Sequence, residues 1–264
     1  MFFPLHDEHN SRIAIVPVVS YGLVILISLV FACQVMLESG GGVGSARGFV
    51  LRHGLVPEPF LTGNPEYSCT VAVKIVEDGE VEHDLRTIDV RNSKLGLILM
   101  PFSYIFLHGS LLHLISNLWF FWIFADNVEE RMRSIPFAIF FLLTGAAGGL
   151  LHVLLHTDSD TPLIGASGAV AGVMGAYIVL FPGNRVTSYF CPVWFFIRRI
   201  DVPAWMVLGF FLLIQSLALM NADTLMSRVA FDAHLGGFVA GMLSALMFRA
   251  SPHASPDAAG KTSK

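Results

Sequence analysis

Apolar runs punctuate this chain near 14–36, 102–124, 135–156, 168–182, 203–220 and 231–248. A helix needs about 20 apolar residues to cross a hydrocarbon core of roughly 30 Å. Inside that core only helices and closed barrels satisfy their own backbone polar groups. Six such runs in one chain therefore predict an all-α polytopic membrane protein, a six-helix bundle. Composition agrees: 54% of residues are hydrophobic and 14% are charged, where a soluble domain carries about a quarter charged residues. The net charge of -4 leaves no basic footprint for nucleic acid. The fourth run is short, with about 15 residues before Pro182-Gly183, fewer than a full crossing takes.

The first run is longer than a signal core and lacks a small-residue cleavage site after it, so it is expected to be retained. Basic residues set the expected orientation. With the N-terminus cytoplasmic, Arg12, Arg131, Arg133, Arg185, Arg198, Arg199, Arg249, Lys261 and Lys264 lie inside, and the short outer loops hold only Arg228. The expected division is a cytoplasmic N-terminus at 1–13, a first span at 14–36, an extracytoplasmic loop at 37–98, a core at 99–249 and a disordered cytoplasmic tail at 250–264. Within the loop, alternation at 70–76 and 81–90 around Asp78-Gly79 reads as a β-hairpin. Cys33, Cys69 and Cys191 fall in different compartments, and no disulfide is expected.

Polar residues inside apolar runs are functional candidates. The second span carries His108, His113 and Asn117, the last two sharing a face at i and i+4. The fourth opens at Ser167 and the sixth at His234, and all three helices enter from the same side. Gly168 and Gly172, and Gly237 and Gly241, form G-xxx-G pairs that let helix backbones approach closely. Packing those stripes would bring a serine hydroxyl to an imidazole, as in a nucleophile and its base. A helix starting at Ser167 below the membrane surface would also aim free N–H groups at a developing oxyanion. The stretch 161–165 would then be non-helical backbone at membrane depth, lining a polar cavity.

These residues stand in the order and spacing of a known family. Phe106-Leu107-His108 with His113-x-x-x-Asn117, Asp126-Asn127-Val128-Glu129, Gly165-Ala166-Ser167-Gly168-Ala169 and His234-x-x-Gly237-x-x-x-Gly241 together resemble the rhomboid intramembrane serine proteases of the bacterial six-span type. The resemblance implies a Ser167–His234 dyad, with His113, Asn117 and the backbone N–H of Ser167 holding the oxyanion. Gly165, Gly168, Gly237, Gly241, His108 and Glu129 would be supporting motif residues. It implies transmembrane proteins as substrates, the lipid bilayer as surroundings, no cofactor, and an active site opening to the outer side of a bacterial cytoplasmic membrane. Ala125 departs from the glycine many members carry there. The rival reading is an inactive relative that binds and escorts transmembrane helices, which need not keep both nucleophile and base. His152 and His156, four apart, have metal-ligand spacing, but no Glu or Cys completes a site in the sequence and no metal is expected.

Overall fold

A computed structural model describes residues 2–7, 16–41, 43–77, 80–193, 196–220 and 230–249. The described chain is mostly helical, with α1 (Val18–Gly41), α2 (Val43–His53), α3 (Pro57–Thr62), α4 (Lys94–Ser103), α5 (Leu111–Met132), α6 (Ser134–Leu155), α7 (Ser167–Leu180), α8 (Ala204–Met220) and α9 (Phe231–Arg249). Among the described residues, four stretches are helical, long and apolar enough to cross a membrane: Val18–Leu37, Leu111–Met132, Ser134–Leu155 and Phe231–Arg249. Their outward faces carry large apolar side chains, such as Leu112, Ile135 and Met247, each at least 75% exposed. An apolar belt of that extent belongs in lipid, and the chain is an integral membrane protein.

The second span does not begin where hydropathy places it. Instead of a helix from 102, α4 ends at Ser103, a 3-10 turn covers Tyr104–Phe106, and Leu107 is extended at φ -90 and ψ 146. Ser110 then caps a new helix, its hydroxyl accepting the His113 N–H at 3.1 Å. The apolar run passes straight through this break, so hydropathy cannot register it. His108 consequently precedes α5 rather than riding on it.

Among the described residues, five strands accompany the helices. β1 (Phe2–Asp7), β4 (Arg185–Val193) and β5 (Phe196–Pro203) form an antiparallel sheet in the order β1-β4-β5, which gives structure to an N-terminal segment read from sequence as a plain tail. β2 (Glu66–Glu77) and β3 (Glu80–Arg91) pair from Glu66↔Arg91 to Glu77↔Glu80, and the Asp78-Gly79 turn itself lies outside the described residues, as does the tail at 250–264. Tyr67 Oη donates to Leu51 O at 2.7 Å and Asn92 Nδ2 to Arg52 O at 2.8 Å, tying this hairpin to α2. Burial, and after it the carboxylates of Asp160 and Glu58, push the Cys69 thiol at its base up to about 12.

α7 lies at the centre, with every residue from Gly168 to Tyr177 buried. It packs most extensively on α9 and also contacts α6 and α5. The Gly168 carbonyl rests against Gly237 and the Gly172 carbonyl against Gly241, so the two helices run parallel in backbone-to-backbone contact. A Cβ on either α9 glycine would fall on a carbonyl oxygen of α7. Such proximity suits lipid, where helices gain from van der Waals packing rather than from a hydrophobic force between them.

A buried carboxylate anchors the other end. Glu129 accepts the N–H groups of Val19 (3.0 Å) and Ser20 (2.7 Å) and the hydroxyls of Ser20 and Ser134 (2.7 Å each). It thus caps the first turn of α1, where the helix dipole favours an anion, and clasps the start of α6. The α5–α6 corner turns on Arg133 alone, whose φ of 73 is a left-handed value.

Two outcomes are expected. Glu129→Gln removes a charged acceptor and turns an amide toward N–H groups, which should destabilise the fold by on the order of 3 kcal/mol in reversible detergent unfolding. Gly237→Val forces α9 off α7 and should cost about 1–3 kcal/mol in the same assay. Wild-type unfolding of either variant would contradict the corresponding contact.

Candidate active site

The serine loop is built from unusual backbone. Gly165 adopts φ +126, a value that side-chain-bearing residues rarely reach. Its Cα also faces the His113 ring: a Cβ there would lie 2.8 Å from His113 Cε1, 2.9 Å from Nε2 and 3.8 Å from Ser167 Oγ. Glycine is therefore required twice, for conformation and for room. The small space over Gly165 is bounded by the Ser167 hydroxyl on one side and the His113 imidazole on the other.

Non-helical backbone at this depth needs partners. Leu163 and Leu55 exchange both backbone hydrogen bonds, at 2.9 and 3.0 Å, and the Gly165 N–H donates to Tyr104 O at 3.0 Å. Tyr104, fully buried, also donates its hydroxyl to Gly145 O on α6 at 2.7 Å. The α2–α3 region and the 3-10 turn thus hold the serine loop. Sequence reading assigned no role to Leu55 or Tyr104; the only signal was a lone phenol in an apolar run.

Ser167 is the first helical residue of α7, after Ala166, so its backbone N–H is one of the helix's unshared donors. His113 and Asn117 lie one turn apart on α5. Asn117 is buried, and its Nδ2 has no hydrogen-bond partner. An unsatisfied buried donor costs about 1–3 kcal/mol, so it marks strain or function. His108 packs edge-on against His113 with ring centroids 5.1 Å apart, and Gln34 grips its backbone from both sides, at 3.1 and 3.2 Å.

His234 is buried in the first turn of α9, between the rings of Phe231 and Phe211 at 6.2 and 6.4 Å. The Gly168–Gly237 contact sets the register that brings it to the Ser167 end of α7: Gly168 follows the serine directly, and His234 precedes Gly237 by one turn. Asp232 turns away from His234 to the imidazoles of His152 and His156, each 2.9 Å from Oδ2. The carboxylate missing from the 152/156 pair in the linear sequence is supplied across the bundle. Glu129 sits with the α1 cap, remote in role from this cluster.

A hydroxyl at a helix start, free N–H and amide donors around a glycine-made space, and an imidazole on a neighbouring helix are the parts of acyl transfer. The chain is 28% identical to Rhomboid protein 1, mitochondrial, of Saccharomyces cerevisiae over 59% of its length, and 30% identical to RHOMBOID-like protein 12, mitochondrial, of Arabidopsis thaliana over 57%. It is 27% identical to RHOMBOID-like protein 5 of Arabidopsis thaliana over 53%. It spans 40 to 46% of the lengths of these three relatives. The family model of the Rhomboid domain matches residues 98–251, more than half of the chain and the stretch that holds His113, Asn117, Ser167 and His234, so this protein belongs to the rhomboid family.

Proposed function

We propose that this chain is an intramembrane serine endopeptidase that cleaves peptide bonds in or near transmembrane segments. Ser167 Oγ attacks the scissile carbonyl carbon, and its proton passes to the His234 imidazole. The carbonyl π pair becomes an oxyanion held by Asn117 Nδ2, the His113 ring N–H and the Ser167 backbone N–H. Collapse expels the amine, which takes the proton from His234. Water then attacks the acyl-enzyme with His234 as base, regenerating the Ser167 hydroxyl. In this reading α1, α5, α6, α7, α8 and α9 make six crossings, both termini are cytoplasmic, and the site opens outward.

The observation that carries the reading is the Asn117 amide, buried without a partner on the helix face it shares with His113, whose ring adjoins the space next to Ser167. A helix-escort protein has no use for a desolvated donor on that helix face. The discriminating experiment treats purified protein with a fluorescent serine-directed phosphonate. Wild type should label at one site and Ser167→Ala should not; a wild type that fails to label would favour the escort reading.

Turnover gives finer expectations. Asn117→Ala should lower cleavage of a transmembrane substrate on the order of 100- to 1000-fold with folding intact, the usual cost of one oxyanion donor. Ser167→Ala and His234→Ala should each cost nearly as much as the double variant, because the two act as a unit. Gly165→Ala presses a methyl on the His113 ring and strains the backbone, and a displacement of about 1 Å can cost roughly 100-fold. Unaltered turnover in Gly165→Ala would remove His113 from the oxyanion role.

A further inference from the structure

His152 sits on the last turn of α6, His156 is the C-cap residue that follows it, and Asp232 lies on the first turn of α9. His152 Nδ1 approaches both oxygens of Asp232, at 3.0 and 2.9 Å, and His156 Nε2 reaches Oδ2 at 2.9 Å. Among the described residues this is the one group of three such side chains whose ligand atoms all lie within 4.8 Å of one another. We propose that His152, His156 and Asp232 form a binding site for a divalent transition metal of the zinc class, bridging α6 and α9 beside His234.

The donor set fits that class. Two imidazoles and a carboxylate suit zinc and its neighbours, whereas magnesium and calcium take oxygen ligands. Zinc bonds of 2.0–2.1 Å in a tetrahedron place ligand atoms roughly 3.3 Å apart, inside the spread found here. Burial is graded in the way an accessible site requires: the Asp232 side chain is 1% exposed, that of His152 15% and that of His156 48%. The buried carboxylate is thus reached from the surface through His156, which leaves the fourth position open to water. Each imidazole would bind through the nitrogen that now meets Asp232 and carry its single proton on the other ring nitrogen. The dication would balance the carboxylate at the Ser167 end of the bundle and fix the helix turn that carries His234 two residues on.

The test uses full-length, tag-free, metal-stripped protein in detergent, titrated with cobalt(II) and read by visible d–d absorption. One cobalt per chain should bind with the strong absorption of a tetrahedral site, and added zinc should bleach it. His156→Ala, which alters a half-exposed side chain and leaves the core in place, should abolish the signal, as should His152→Ala. Ser167→Ala should keep it, which separates this site from the proposed peptidase chemistry. Absence of a saturable cobalt signal in the wild type, or an unchanged signal in His156→Ala, would overturn the proposal and leave the triad as a hydrogen-bonded clamp only.

Discussion

The backbone-to-backbone contact of α7 with α9 is the constraint on which the rest of the structure depends. Carbonyls of Gly168 and Gly172 lie against Gly237 and Gly241, a distance open only to residues without a Cβ. In lipid no hydrophobic force draws helices together, so the stabilisation comes from close packing over many atoms. Because α7 is enclosed by its neighbours, it can be shorter than the membrane is thick. Its N-terminus then falls inside the bundle, with Ala166 and Gly168 buried on either side of Ser167 and the first-turn N–H groups lacking a helical acceptor. Ser167 holds that position for this reason.

A helix that starts inside the bundle leaves its preceding loop at membrane depth, and the loop's polar groups must find partners there. Here they come from buried residues of other segments. Leu55 pairs with Leu163, Tyr104 O accepts the Gly165 N–H, and Gln34 holds the backbone of His108. The long segment between α1 and α4 is therefore part of the scaffold of the serine loop, not an appendage. The same accounting governs the buried acids. Glu129 is matched by four donors and Asp232 by two imidazoles and the N–H of Ala233, so neither buried carboxylate is left without partners.

Function in this arrangement follows from what is left unsatisfied. Among the described residues around the serine loop, Asn117 Nδ2 and both ring nitrogens of His108, which packs on His113, are buried without a partner. In the proposed peptidase reading, Asn117 bears that cost because a substrate oxygen would meet its amide, which is the logic of preorganised donors. Gly165 adds the room, since any side chain there would occupy the space between the Ser167 hydroxyl and the His113 ring. In the proposed reading the chemistry belongs to this cluster of side chains and not to the fold as such.

Much of this was legible in the linear sequence, for identifiable reasons. Apolar runs report burial in lipid regardless of neighbours, so the helices around 18–37, 134–155 and 231–249 could be read directly. The G-xxx-G spacing and the i, i+4 pair of His113 and Asn117 are properties of a single helix and needed no partner to be seen. The break at 104–110 was invisible because hydropathy is blind to backbone conformation. The strand at Phe2–Asp7 was equally hidden, since its hydrogen bonds go to residues more than 170 positions away. The pairing of Asp232 with His152 and His156 is not visible in the linear sequence because the two imidazoles lie 80 and 76 positions back. Local chemistry is written in local spacing, whereas pairings between distant segments depend on how the helices pack. That packing decided which carboxylate meets which imidazole, and why Gly165 could be nothing else.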